Sequence, residues 1–200
     1  MIVEKLISEN LILREIKSKD IFAYSELFSD TETMALFGGP TINNVLDLKN
    51  VIPNKQKEAE LNQALFWSIT EKEDREFIGF IRLMNYESIY FNLSYEIMGS
   101  LKDSPEFSKY IQRKGWEIDY ALLPNYRNKG IMSESIRLVI KYCFENNLKP
   151  IYAKVNNVSN KSTINVLIKN GFGEHLPLQN QNGELGMIYK LENNVAQHRI

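Results

Sequence analysis

One stretch, from Trp116 to Asn147, constrains the fold of this chain more than any other. Large apolar side chains alternate with smaller or charged ones over its first eight residues, which is the period of a β-strand. Pro124 and Asn125 then end the strand, because proline lacks the ladder donor and asparagine tolerates turn geometry. Beyond the turn, apolar residues recur at helical spacing, namely Ile136, Val139, Ile140 and Cys143. The sequence therefore predicts a strand, a tight basic turn and a helix in direct succession.

The turn between this strand and helix has the features of an anion site. Its sequence is Arg127-Asn128-Lys129-Gly130-Ile131-Met132. The first amide N–H groups of a helix have no partner within the helix, so they can bind an anion such as phosphate. Arg127 and Lys129 add positive charge, and Gly130 lacks the side chain that would keep a phosphate from the backbone. An ordinary strand-to-helix turn with solvated basic residues is the alternative interpretation of this pattern.

The composition is that of an ordinary globular protein, and it excludes several functions. The 200 residues carry a net charge of −1, which predicts neither a nucleic-acid-binding surface nor a membrane-binding one. One cysteine, together with the lack of a signal segment or a membrane-spanning run, predicts a cytoplasmic protein. The two histidines lie far apart, so no metal site is expected. The length favours a single domain over residues 1–200.

Hydrophobic patterning predicts further elements on both sides of the central stretch. The predicted strands are Leu11–Arg14, Ala64–Thr70, Glu76–Met84, Pro150–Asn156 and Met187–Leu191, the second and third forming a hairpin. The predicted helices are Ile21–Phe28, two short helices within Thr41–Gln63 divided by Pro53, and one that begins at Asn160 and ends before Gly171. Ile164, Leu167 and Ile168 form the apolar stripe of that last helix, and Leu176–Gly183 is predicted to be a polar loop.

A long excursion, at about residues 85–115, interrupts this pattern. Connections of such length between strands are usually functional or carry extra structure. An additional strand at Tyr90–Met98 and a helix or ordered loop at Ser104–Gln112 are expected. The excursion is interpreted either as a substrate wall or as a plain surface insertion.

Two carboxylates, Glu117 and Asp119, lie on one face of the central strand, because side chains two apart point the same way. Two neighbouring carboxylates would raise the pKa of one of them toward the working pH, which suits a general base. They could equally bind a cationic amine, face solvent, or pair with a lysine or arginine. Cys143, on an apolar helical face, is predicted to be a buried core residue rather than a nucleophile.

Three segments together resemble the GNAT superfamily of acyl-CoA-dependent N-acetyltransferases, and within it the RimJ/RimL type. The first is Ile7–Arg14 with Asp20 after it, and the second is Trp116–Ser135 with its Arg-x-x-Gly-x-Met turn. The third is the Asn160-x-x-Thr163 motif followed by Lys169-Asn170-Gly171-Phe172. The resemblance spans roughly Ile7 to Leu191.

The resemblance implies an α/β fold of α+β type with helices on both faces of a central mixed, mostly antiparallel sheet. It implies that the sheet splays near Leu123 and that acetyl-CoA enters the split. The implied reaction moves an acetyl group directly from acetyl-CoA to a primary amine, either a protein N-terminus or a small molecule. Acetyl-CoA serves as co-substrate, with no metal, and a homodimer is left open.

The resemblance also implies roles for individual residues. The pyrophosphate would lie on the amides of the turn, and the pantetheine arm would pair with the backbone of Leu122 and Leu123. The residues assigned to the acetyl-CoA site are Leu122, Leu123, Arg127, Asn128, Lys129, Gly130, Ile131, Met132, Asn160 and Thr163. Glu117 and Asp119 are the candidate bases, and Ser162 or Thr163 would protonate the leaving thiolate. A capping role for Asn160 is compatible with contact to pantetheine.

Three positions depart from the family pattern. Met132 replaces a small residue of the turn, Asp119 stands where glycine is usual, and Leu167 occupies a position at which relatives often carry a tyrosine acid. These departures favour an alternative function, a non-catalytic acyl-CoA-binding or partner-binding module.

Overall fold

The computed structural model describes residues 1–37, 48–73, 75–85, 114–179 and 185–191. Eight strands lie in these ranges: β1 Leu6–Ile7, β2 Leu11–Arg14, β3 Ala64–Glu71, β4 Phe77–Asn85, β5 Trp116–Leu122, β6 Ile151–Val155, β7 Phe172–Gln179 and β8 Leu185–Leu191. The α-helices in the same ranges are α1 Ile21–Ser29, α2 Thr31–Phe37, α3 Val51–Glu60, α4 Ile131–Glu145 and α5 Lys161–Lys169. Short 3₁₀ turns cover Ser18–Asp20 and Pro124–Tyr126.

The strands form one sheet in the order β1-β2-β3-β4-β5-β6-β8-β7. Neighbouring strands pair antiparallel, except β5 and β6, which pair parallel. A parallel neighbour requires a crossover, and α4 supplies it between β5 and β6. The predicted fold class, a mixed and mostly antiparallel sheet with helices on both faces, is thereby confirmed.

Two apolar clusters pack on the opposite faces of the sheet. On one face, α4 and α5 cover a core that includes Trp67, Ile118 and Ile136, each at most 2% exposed. On the other face, α1, α2 and α3 cover a cluster rich in aromatic rings, in which Phe66 and Phe80 stack with centroids 5.1 Å apart. Side chains alternate across a strand, so each strand of the sheet centre contributes to both clusters.

The parallel pairing of β5 with β6 is short, and its end opens the sheet. Three register pairs join the two strands, from Trp116↔Ile151 to Ile118↔Ala153. On its other side β5 stays paired with β4 as far as Leu122↔Gly79. Residues 119–122 of β5 therefore have a strand neighbour on one side, and the sheet splits after Ile118 rather than near Leu123 as predicted.

The structure corrects several predicted boundaries. Pro53 does not divide two helices, because it lies in the first turn of α3, where a missing N–H breaks no helical hydrogen bond. Residues 176–179 belong to β7 and not to a loop, since they pair with β8. Ile168 is 57% exposed, so the buried stripe of α5 consists of Ile164 and Leu167. The helix α2 was not predicted.

Other predictions fall outside the described residues. They are the first of the two helices in Thr41–Gln63 as far as residue 47, the elements expected within residues 86–113, and the part of the Leu176–Gly183 loop after residue 179. Organisation as a single domain stays a prediction. In the ranges that the structure describes, no helix is both long enough and apolar enough to cross a membrane.

Candidate functional site

The turn before α4 adopts a conformation that leaves backbone amides open to an anion. Asn128 and Gly130 both have positive φ, 61° and 80°, and Gly130 is the N-cap of α4. The first helical hydrogen bond runs from the amide of Glu134 to the carbonyl of Gly130 at 3.0 Å. The three preceding amides, those of residues 131–133, therefore have no acceptor within the helix.

Gly130 fits this turn for two reasons. Its φ of 80° is a conformation that glycine adopts at little cost and other residues rarely adopt. A Cβ placed on it would meet no atom within 4 Å, so the space in front of the turn is open. This open space beside unpartnered amides and a helix N-terminus suits a phosphate group.

Of the two basic residues of the turn, only Lys129 is exposed and outside any ion pair with the described residues. Its Nζ lies 5.4 Å from the centroid of the Tyr126 ring. Arg127 points elsewhere, toward the α1–α2 junction. Its Nη2 is 3.2 Å from Asp30 Oδ2, its Nη1 is 3.3 Å from Glu32 Oε2, and its Nε donates to the carbonyl of Leu122 at 3.3 Å.

The free edge of β5 presents backbone groups toward the split. The amide of Leu123 donates to Ile78 at 3.0 Å, which fixes the alternation of hydrogen bonds along the β4–β5 pair. The N–H groups of Tyr120 and Leu122 therefore point away from β4, toward the side where β6 no longer pairs. Of the two backbone positions assigned to pantetheine, Leu122 faces the split and Leu123 is bonded to β4.

The two predicted carboxylates lie on the same face of β5 but in different surroundings. Glu117 is 8% exposed and lies opposite Met84 in β4. Asp119 lies opposite Arg82, whose Nη2 is 2.5 Å from one carboxylate oxygen and whose Nε is 3.1 Å from both. Asp119 is thus engaged by the Arg82 guanidinium, whereas Glu117 is the more deeply buried of the two carboxylates.

A group of charged residues from several elements surrounds this guanidinium. Burial alone would lower the pKa of Arg82, but Asp119 raises it above its ordinary value. Lys55 of α3 pairs with Glu58 at 3.0 Å, and burial lowers the pKa of this lysine, with a further contribution from Arg82. Among the described residues beside Glu117, the cations Arg82 and Lys55 are thus paired with the carboxylates Asp119 and Glu58.

Asn160 and Thr163 form the N-terminal cap of α5. The Asn160 side chain accepts a hydrogen bond from the amide of Thr163 at 3.1 Å, as an N-cap residue does. The capping role is thereby confirmed, whereas contact with a cofactor stays a prediction. Leu167 is fully buried in the core. Cys143 is buried as predicted, and burial raises the pKa of its thiol to about 12, which excludes a thiolate nucleophile at neutral pH.

Two buried polar groups near the site were not predicted. The hydroxyl of Tyr120, on the free edge segment of β5, is buried and has no hydrogen-bond partner among the described residues. Burial raises the pKa of this phenol, so it stays protonated. At the start of α4, Asn170 donates to Ser133 Oγ at 2.9 Å and thereby joins the end of α5 to the turn. No local sequence signal indicates the burial of the Tyr120 hydroxyl or the Asn170–Ser133 hydrogen bond, because both depend on packing between distant elements.

Comparisons with known proteins agree with this geometry. A family model described as "Acetyltransferase (GNAT) domain" matches residues 10–173. No curated protein shows significant sequence similarity to the chain.

Similar solved structures cover nearly the whole chain. The ribosomal L7/L12 alpha-N-protein acetyltransferase RimL has 16% identity and a TM-score of 0.69, over 95% of this chain and 94% of its own. The ribosomal-protein-S5-alanine acetyltransferase from Vibrio fischeri has 19% identity and a TM-score of 0.67, over 96% and 97%. The microcin C7 self-immunity acetyltransferase MccE, solved with acetyl-CoA and AMP, has 19% identity and a TM-score of 0.67, over 92% of each chain.

At these identities the solved structures establish the fold, and the RimJ/RimL resemblance is confirmed at that level. The family match rests on the sequence itself and includes β5, the turn and α4. The chain therefore belongs to the GNAT family of acetyltransferases, as an enzyme that moves an acetyl group from acetyl-CoA to an amine.

Proposed function

We propose that the turn at Asn128–Met132 binds the pyrophosphate of acetyl-CoA and that the split after Ile118 receives its pantetheine arm. The observation that carries this proposal is the open turn, in which three amides have no helical acceptor and Gly130 leaves free space. The amides of Tyr120 and Leu122 lie along the adjoining free edge of β5. They can pair with the amide groups of pantetheine as a neighbouring strand would.

The chemistry proposed for this site is direct transfer. The amine nitrogen attacks the thioester carbonyl, its proton passes to Glu117 directly or through a water, and the carbon–sulfur bond breaks to release the thiolate of CoA. An edge amide of β5 would stabilise the developing oxyanion. Asp119, held by Arg82, is proposed to position that arginine and to balance its charge rather than to accept the proton.

Two residues can supply the proton to the leaving thiolate. Thr163 is the predicted donor, and its amide is fixed by the Asn160 cap. Tyr120 is the donor that the structure adds, because its buried hydroxyl has no partner among the described residues and stays protonated. Tyr120 also lies on the segment of β5 that borders the split.

The acceptor is proposed to be a primary amine, either a protein N-terminus or a small molecule. Similarity of fold to RimL and to the S5-alanine acetyltransferase supports the first class. The near-zero net charge does not separate the two classes, but Arg82 and Lys55 beside Glu117 make the described part of this face less suited to a polycation. Cytoplasmic location and a homodimer stay predictions of the sequence.

Calorimetric titration with acetyl-CoA tests the cofactor site. Wild-type protein should bind saturably, whereas Gly130→Asp should lose binding, because a carboxylate would enter the phosphate space and repel the anion. Asn54→Asp is the matched control, since it adds the same carboxylate at an exposed position of α3. No binding by the wild type, or unchanged binding by Gly130→Asp, would contradict the proposed site. A panel of an alanine-starting peptide and spermidine, followed by release of CoA thiol, would then identify the acceptor class.

The alternative, a module that binds acyl-CoA without catalysis, is favoured by one observation. Both oxygens of Asp119 are bound by Arg82, so one of the two candidate bases is held in an ion pair. Saturable acetyl-CoA binding without thiol release on any amine would support this alternative.

A further inference from the structure

We propose that Arg127 is a positioning residue, which holds α2 across the split between β5 and β6, and that it is not a ligand of the pyrophosphate. This inference rests on the proposed function, because it assigns a role to a residue of the proposed cofactor turn. Its basis is the set of partners that the Arg127 guanidinium contacts.

Four of the five N–H donors of Arg127 are already engaged. Nη2 contacts both Asp30 Oδ2 at 3.2 Å and Thr33 Oγ1 at 2.5 Å, while Nη1 contacts Glu32 Oε2 at 3.3 Å. Nε donates to the carbonyl of Leu122 at 3.3 Å. A guanidinium has five N–H donors in a rigid fork, so with four of them engaged Arg127 could offer a phosphate one N–H unless it released its carboxylate partners.

The partners of Arg127 are themselves ordered. Thr33 donates to Asp30 through both its amide and its hydroxyl, the amide bond measuring 2.8 Å. These bonds lower the pKa of Asp30, chiefly through the Thr33 hydroxyl and then its amide, with a further contribution from Arg127. Asp30 is therefore ionised at neutral pH, and the start of α2 is a prepared anchor for the guanidinium.

The far end of α2 is fastened as well. The side chain of Asn156, directly after β6, donates to the carbonyl of Phe37 at 3.0 Å. One end of α2 is thus bound to the turn that follows β5, and the other end to the residue that follows β6. The helix spans the two strands whose separation forms the split.

The position of α2 affects the face of the sheet on which the amine acceptor would meet Glu117. The cluster that contains Met34 of α2 packs on the same face of the sheet as Phe66 and Phe80. Phe66 lies opposite Arg82 in β3–β4, and Arg82 lies opposite Asp119 in β4–β5, so this is also the face of Asp119 and Glu117. Loosening α2 should therefore impair binding of the amine acceptor and leave binding of the acetyl-CoA phosphates unchanged. Of the two cations of the turn, Lys129 is the one left for the phosphates.

Acetyl-CoA titration of four proteins separates the two roles. If Arg127 positions α2, Arg127→Ala should change the dissociation constant by less than about threefold, whereas Lys129→Ala should weaken binding about tenfold or more, as loss of a charged hydrogen bond does. The fourth protein, Asp30→Asn, frees Arg127 from its anchor. If Arg127 binds phosphate, Asp30→Asn should bind acetyl-CoA more tightly than the wild type. If Arg127 positions α2, the affinity for acetyl-CoA should stay unchanged.

Two further measurements detect the positioning role directly. Hydrogen exchange at the amides of residues 31–37 should accelerate in Arg127→Ala and in Asp30→Asn, and the acceleration in the double variant should be less than additive, because the two substitutions share the Arg127–Asp30 contact. With whichever of the alanine-starting peptide and spermidine is acetylated, Arg127→Ala should raise the KM of the amine and leave the KM of acetyl-CoA unchanged. Arg127→Lys should recover part of the loss.

Opposite results would overturn the inference. A large loss of acetyl-CoA affinity in Arg127→Ala, with normal exchange in α2, would make Arg127 a phosphate ligand. Failure of the proposed function is distinguishable, because a wild type that does not bind acetyl-CoA would still show whether Arg127 and Asp30 protect α2 from exchange.

Discussion

Replacing Glu117 with glutamine is expected to lower kcat by about 10²–10⁴-fold, the range that a positioned general base contributes. Glutamine preserves the size of the side chain but cannot accept the proton of the attacking amine. Glu117 is 8% exposed on β5, two residues before the free edge that borders the split. Binding of acetyl-CoA should stay unchanged, because the proposed phosphate and pantetheine contacts lie elsewhere. The measurement is release of CoA thiol under saturating acetyl-CoA.

Two controls keep this result interpretable. Glu145→Gln removes the same charge from the exposed last turn of α4, where the glutamate lies 3.9 Å from Lys141, and it should retain full activity. Calorimetric binding of acetyl-CoA to Glu117→Gln shows whether the variant is folded. A variant that binds normally and turns over at the wild-type rate would remove Glu117 as the base. An equal fall of kcat in Glu117→Gln and Glu145→Gln would point to a general effect of charge.

The backbone of the site could be predicted because its signals are local in sequence. Alternation along Trp116–Leu122, Pro124 after it and the glycine before α4 each act on neighbouring residues, and the structure places the strand, turn and helix accordingly. The Asn160 cap and the Gly171 helix end are equally local, and both are present. Patterns of this kind specify conformation without reference to the rest of the chain.

The side-chain partners could not be predicted, because they come from distant parts of the chain. Arg127 was interpreted as a phosphate contact, yet its carboxylate partner Asp30 lies 97 residues away and belongs to a junction next to a helix that was not predicted. Pairing of Asp119 with a lysine or arginine was among the alternatives, but strand period could not identify the partner as Arg82, which lies in β4, 37 residues earlier. The point at which the sheet splits depends on where β6 diverges, which no residue of β5 encodes.

The largest expected loss of stability comes from Arg14→Ala. The Asp20 side chain is completely buried, and Arg14 binds it through two hydrogen bonds of 2.6 and 2.8 Å. The amide of Lys17 and the hydroxyl of Ser68 donate to the same carboxylate. Removing one partner of a buried ion pair leaves an uncompensated charge, which costs about 3–5 kcal/mol of unfolding free energy. Lys19→Ala, which breaks an exposed pair with Glu76, should cost less than about 1 kcal/mol.

The dependence of this loss on pH identifies its cause. Burial alone would raise the pKa of Asp20, but Arg14, the Lys17 amide and Ser68 together hold it below the usual value of 3.8. A carboxyl whose pKa is lowered in the folded state stabilises the protein at pH values above its pKa in the unfolded state. This stabilisation is lost as the pH falls through the pKa of the folded state. In Arg14→Ala, burial should raise the pKa of Asp20, so the carboxyl takes up a proton before it does in the wild type. Urea unfolding should therefore show the largest difference between the two proteins at pH 7 and a smaller one at pH 3. A difference that is the same at both pH values would show that Arg14 contributes by packing and not by charge. A difference no larger than that of Lys19→Ala would show that the buried pair adds no more stability than an exposed one.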